Sequence, residues 1–113
     1  MLKIYHNTRC RKSRAGLDYV LAKGIDYEII EYLKKPLSET ELADLINKTG
    51  KKPIELVRTQ EEIYKKNYKG KNLSDDEWIK VLAENPKLIQ RPIIVNGNKA
   101  VLGDIVENID TLL

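Results

Sequence analysis

Residues 91–102 read RPIIVNGNKAVL, and the fold turns on this stretch. Ile93-Ile94-Val95 is a short apolar run, Asn96-Gly97-Asn98 a turn cluster, and Lys99-Ala100-Val101-Leu102 a second run of strand length. Two such runs joined through Asn-Gly predict an antiparallel hairpin, because a tight turn needs positive φ angles and Asn-Gly supplies them. A helix is expected next. Ile105, Val106, Ile109, Leu112 and Leu113 form an apolar stripe, with Asp104 and Glu107 placed to cap it. The last part of the chain therefore reads strand, strand, helix.

The first part supplies the other half. Leu2-Lys3-Ile4-Tyr5 alternates weakly and stops at a polar cluster, as a short strand running into a loop does. From about Arg11 to Lys23, the residues Ala15, Leu17, Val20 and Leu21 recur at helical spacing, and Gly24 is placed to end a helix in the left-handed conformation. Asp26-Tyr27-Glu28-Ile29-Ile30 returns as a strand. Strand, helix, strand in this order builds a parallel pair.

Between the halves the sequence is helical. Leu37-Ser38-Glu39-Thr40-Glu41-Leu42 and Leu73-Ser74-Asp75-Asp76-Glu77-Trp78 each carry a capping box and a hydrophobic staple, so helices are expected from Ser38 and Ser74. Gly50 ends the first. Pro53 suits the first turn of a short helix through Arg58, and YKKNYKGKN (64–72) reads as surface turn or frayed helix. Tyr27, Tyr32 and Trp78 read as packing residues. The whole is βαβ, a helical insert over about 37–86, then ββα. That is the order of a single thioredoxin-like α/β domain, residues 1–113, with a mixed four-stranded sheet and an expanded middle. In it the loop after the first strand lies at the carboxyl end of a parallel strand, where sites form.

Bulk properties narrow the function. With 113 residues, 42% of them hydrophobic, the chain can bury one core. Twenty basic against 17 acidic residues give a net charge of +3, a mild bias rather than the dense basic stripe of a nucleic-acid binder, and small anions remain suitable partners. A single cysteine excludes an internal disulfide, and the N-terminus lacks a long apolar stretch. The expectation is a monomer in the reducing cytoplasm, with no membrane association. One histidine and one cysteine argue against a zinc site, and phosphate-binding glycine loops are absent.

That cysteine stands in His6-Asn7-Thr8-Arg9-Cys10-Arg11-Lys12-Ser13-Arg14, where the first loop meets the first helix. Free N–H groups, the helix dipole and the neighbouring Arg9, Arg11, Lys12 and Arg14 favour a thiolate at Cys10. A lone cysteine also serves as a small apolar filler, but an arginine-flanked polar loop is a poor place for one. His6 is suited either to stabilise the thiolate by charge or to orient the loop. Ser13 replaces the second cysteine of a C-x-x-C motif, so any oxidised intermediate must be resolved by an outside thiol. Fifteen lysines are spread along the chain, whereas the five arginines are Arg9, Arg11, Arg14, Arg58 and Arg91. Guanidinium is the better fork for a tetrahedral oxyanion, so Arg58 and Arg91 are expected back at the Cys10 site. Pro92, just before a strand, is expected to follow a cis bond and face the cysteine. Gly16 occupies the arginine position of the C-x5-R loop of low-molecular-weight phosphatases, which disfavours that chemistry.

The loop resembles the H-N-x-x-C-x-x-S-R loop of the glutaredoxin-coupled arsenate reductases. Leu56-Val57-Arg58 is similar to their L-L-R segment, and Gln90-Arg91-Pro92-Ile93-Ile94-Val95 to their R-P-I-V strand. The resemblance implies a thioredoxin-like fold with Cys10 as nucleophile, His6 supporting its thiolate, and Arg58 and Arg91 holding the oxyanion. It makes Asn7, Arg9, Arg11, Ser13, Arg14 and Pro92 the substrate-binding surroundings. It further implies arsenate as substrate, glutathione as co-substrate rather than bound cofactor, and glutaredoxin as the reducing partner. One departure stands out: the family pattern has a third arginine shortly after the last strand, where this chain reads Val101-Leu102-Gly103-Asp104, with Gly103 at or near its position. The alternatives are a regulator resembling Spx, which binds the RNA polymerase α subunit, and a non-catalytic binder of glutathione or protein thiols. Spx-like proteins usually carry C-x-x-C, and this chain has C-x-x-S.

Overall fold

The computed structural model describes residues 1–113. Strand β1 (Leu2–Tyr5) leads into helix α1 (Arg11–Ala22) and strand β2 (Tyr27–Ile30). β1 and β2 pair in parallel, with Leu2 opposite Tyr27 and Tyr5 opposite Ile30. β3 (Ile93–Asn96) and β4 (Lys99–Leu102) form the hairpin, and β3 lies antiparallel to β1. The sheet is four-stranded and mixed, in the order β2-β1-β3-β4. The thioredoxin-like α/β reading holds. Asn96 pairs with Lys99, so the hairpin loop is Gly97-Asn98, and the positive φ is carried by Gly97 (64°) and not by Asn96. Glycine first with a lone positive φ is the pattern of a type II′ turn.

Burial follows the strand period on β1, where Leu2 and Ile4 are buried and Lys3 is exposed. On β3 the consecutive Ile93, Ile94 and Val95 are all buried, as an inner strand covered on both faces requires. Leu2, Ile4, Val20, Ile94, Ile109 and Leu112 make one core cluster, joining β1, α1, β3 and the C-terminal segment. Each such side chain contributes about 1.5–3 kcal/mol by leaving water.

The C-terminal segment departs from expectation. Val106–Leu112 winds as a 3₁₀ helix, starts after Ile105, and has no side-chain cap. Asp104 instead accepts the N–H of its neighbour Ile105 at 3.0 Å. The tighter winding has a packing reason, since residues three apart eclipse in a 3₁₀ helix and the buried pair here is Ile109 and Leu112. Tyr19 Oη donates to Asp110 at 2.8 Å, tying α1 to this segment.

Residues 1–35 and 91–113 form one compact unit and residues 36–90 another. In the second, α2 (Glu39–Thr49) and α4 (Asp75–Glu84) pack together and flank α3 (Glu62–Asn67) in sequence, with 3₁₀ turns at Pro53–Leu56 and Pro86–Leu88. Both capping boxes form: Ser38 with Glu41, and Ser74 with Glu77. Gly50 closes α2 at φ 70°. The Pro53 turn stops at Leu56 because Val57 extends to bridge Ile89. Of the two alternatives for 64–72, α3 takes the helical one as far as Asn67; Tyr64 and Tyr68, one helical turn apart, set their rings 6.4 and 6.1 Å from that of buried Trp78. No helix is long and apolar enough to cross a membrane.

Register decides where the loops emerge. Tyr5 faces Ile93 across the sheet and Ile93 faces Leu102, so the carboxyl ends of β1 and β4 and the amino end of β3 lie together. Cys10, Arg91-Pro92 and Gly103 all follow or precede those ends.

Candidate active site

The loop after β1 is held by short local bonds. His6 N–H continues the sheet by donating to Ile30 O at 3.0 Å. Asn7 Oδ1 accepts the Arg9 N–H at 3.0 Å and Asn7 O accepts the Cys10 N–H at 3.0 Å, which bends the chain into the start of α1. Cys10 is the N-cap, with extended backbone (φ −95°, ψ 124°), and its side chain does not cap the helix. Its carbonyl accepts the Arg14 N–H at 3.0 Å.

Ser13, fully buried, fastens the loop from below. Its Oγ accepts the Asn7 N–H at 2.9 Å and lies 2.7 Å from His6 Nδ1. Burial lowers the His6 pKa from its ordinary value, opposed by the charge of Glu31 and the Ser13 contact and helped by Arg14. The imidazole is therefore neutral at pH 7. The Nδ1–Oγ hydrogen bond pins the imidazole against the loop that Ser13 also holds through the Asn7 N–H. Of the two roles open to His6, the geometry supports orienting the loop, not lending it charge.

Cys10 Sγ is partly exposed. Burial pushes its pKa up, but the Ser13 N–H, a hydrogen bond from the Arg91 side chain, the Lys12 N–H and the Arg91 charge together hold it below the ordinary thiol value. Two of these donors are first-turn N–H groups of α1, as the helix-terminus argument requires. The arginine that lowers the thiol pKa, however, stands two residues before β3. Arg9, Arg11 and Arg14 are exposed. Arg91-Pro92 is cis, and Gly103 N–H donates to Pro92 O at 2.8 Å.

Arg58 lies in the second unit, between the Pro53 turn and α3. Its N–H donates to Leu88 O at 2.7 Å, its Nε is 3.6 Å from Glu61 Oε1, and its side chain is 17% exposed. Gly103 is not an open position: a Cβ there would meet Ile94 Cδ1 at 2.9 Å and Pro92 Cγ at 3.1 Å. The exposed residue of that turn is Asp104. The packing of Gly16 against Pro92 was not read from the sequence, where its one signal is a glycine inside a helix.

A thiol whose pKa is lowered by two first-turn N–H groups and a guanidinium is suited to act as a nucleophile beside an anion-binding helix terminus. The ArsC family model matches residues 5–112. An arsenate reductase of Neisseria meningitidis is 37% identical over 99% of this chain and 97% of its own length. One from Haemophilus influenzae is 39% identical over 97% of each. The solved structure of an arsenate reductase from Vibrio cholerae superposes with a TM-score of 0.93 at 38% identity, covering 99% of this chain and 97% of the other. The motif residues, the fold and these near full-length matches agree, and the chain belongs to the ArsC family.

Proposed function

We propose that the protein reduces arsenate to arsenite through Cys10, with glutathione and glutaredoxin supplying the electrons. The observation that supports this most is the Cys10 thiol at the start of α1, whose pKa is lowered by the Ser13 and Lys12 N–H groups and by Arg91. The thiolate attacks arsenic, and one arsenate hydroxyl leaves as water on taking up a proton. Glutathione displaces a second oxygen in the same way, leaving pentavalent arsenic bonded to both sulfurs. A glutaredoxin thiolate then attacks the glutathione sulfur; the sulfur–arsenic pair goes to arsenic, which becomes trivalent, while the two outside sulfurs form a mixed disulfide. Hydrolysis frees arsenite and returns the Cys10 thiolate.

Buried Ser13 stands where a resolving cysteine would be, which is why the reading calls on outside thiols and a glutathione-containing, reducing compartment. Arg91 would hold the oxyanion from the sulfur's own side. Arg58 enters on its motif, Leu56-Val57-Arg58, and Asn7, Arg9, Arg11, Arg14 and Pro92 as the loop and strand residues around the thiolate. Turnover should be slow, since Asp104 follows Gly103 where the family's third arginine is expected and loss of one fixed donor costs about 3 kcal/mol.

The test is arsenite formation from arsenate with glutathione, glutaredoxin and a recycling reductase, measured by arsenic speciation. Arsenite is expected from the wild type and none from Cys10→Ser. A folded wild type whose Cys10 alkylates readily yet yields no arsenite would overturn the reading, and retention of the RNA polymerase α subunit in a pull-down would then favour the regulator.

A further inference from the structure

Gly16 lies inside α1, in ordinary helical conformation, where glycine is disfavoured on its own account. A Cβ on it would stand 2.7 Å from Pro92 Cγ, closer than real Cβ contacts come, and 3.5 Å from Gly103 O. On the other side, a Cβ on Gly103 would stand 3.1 Å from the same Pro92 Cγ, and Gly103 N–H holds Pro92 O at 2.8 Å. The pyrrolidine ring thus rests between two bare backbones: a methyl group on Gly16 would collide with it, and one on Gly103 would press tightly against it. Unlike a flexible side-chain tip, the ring cannot swing aside without moving the backbone of Arg91-Pro92.

We propose that Gly16 and Gly103 are positioning residues: by seating the Pro92 ring they fix the backbone from which Arg91 reaches the Cys10 sulfur. Overfilling either glycine pushes Pro92 out and carries the Arg91 guanidinium away from Sγ. The inference rests on the reading of Cys10 as a nucleophile and assigns to Gly16 a use that its place in the Cys10 loop-and-helix segment does not reveal.

The experiment is the pH dependence of iodoacetamide alkylation of Cys10 in the native protein, which reports the thiol's ionisation and not its stability. Arg91→Gln is expected to raise the midpoint by about one unit, the effect of removing a close opposite charge. Gly16→Ala should shift it in the same direction, and Gly16→Ala combined with Arg91→Gln should go no further than Arg91→Gln alone. An unmoved midpoint in Gly16→Ala, or an equal added shift when Arg91 is already gone, overturns the proposal. If Gly16→Ala does not fold, Gly103→Ala with Ile94→Val is read the same way, since losing Ile94 Cδ1 leaves the Pro92 contact as the tight one. If neither folds, Pro92→Ala decides: a raised midpoint supports the seat and a wild-type midpoint rejects it. No arsenate is used, so midpoints that move as expected while arsenate turnover is absent would reject the reductase reading and keep this one.

Discussion

Helices α1 and α2 begin in opposite ways. At α2, Ser38 Oγ accepts the Glu41 N–H at 3.1 Å and Glu41 returns a carboxylate to the Ser38 N–H at 3.1 Å, and α4 repeats this with Ser74 and Glu77. At α1 the cap is Cys10; no side chain closes the end and no acidic residue lies in the first turn. The same unpaired N–H groups that α2 and α4 satisfy internally are left at α1 for a sulfur anion. A capping box is worth folding energy, and an open end gives that up for a site that an anion completes.

This contrast can be broken by substitution, and the largest effect belongs to Cys10. Cys10→Ser should abolish both alkylation and arsenite formation, because a serine hydroxyl is not ionised near neutral pH; any residual turnover would place the nucleophile elsewhere. Next comes Arg91→Gln. With the guanidinium gone, alkylation below neutral pH should slow about tenfold, following a pKa rise of about one unit. If the rate is unchanged, the helix terminus alone holds the thiolate.

Closing an end and opening another should be separable. Ser38→Ala is expected to lower stability by about 1 kcal/mol in urea unfolding, with the alkylation rate of Cys10 untouched. Smaller effects come from titration. The His6 pKa is depressed by burial from its ordinary value of 6.5, so the unfolded chain takes up a proton first and stability falls as pH drops through that value. His6→Asn should flatten the loss, measured by urea midpoints on either side of pH 6.5. Glu77 is depressed by its hydrogen bond from the Ser74 backbone, so its contribution is present above its ordinary 4.5 and lost as pH falls through the folded value. Glu77→Gln should weaken that acid dependence.

Most of the architecture was written locally. The capping boxes, Gly24, Gly50 and the turn at Gly97 each encode a boundary within a few residues, which is why both halves of the sheet and three of the helices were legible. What was left open or differed was decided by contacts beyond the local sequence. Tyr64 and Tyr68 look like surface residues until Trp78 supplies a ring to pack against, and α3 is six residues long with no cap of its own. The 3₁₀ winding of Val106–Leu112 depends on a core that sees Ile109 and Leu112 together. In the site, the motif named Cys10, His6 and Arg91; Arg9, Arg11 and Arg14 are exposed on the same loop and helix, and the guanidinium that lowers the Cys10 pKa comes from residue 91.

The open terminus of α1, with Arg91, lowers the Cys10 pKa. Ultraviolet titration of the thiolate in the wild-type protein, with Cys10→Ser as the blank, measures this. Half-ionisation is expected clearly below that of a free cysteine thiol. A midpoint at or above the free-thiol value would contradict it, whatever the arsenate assay returned.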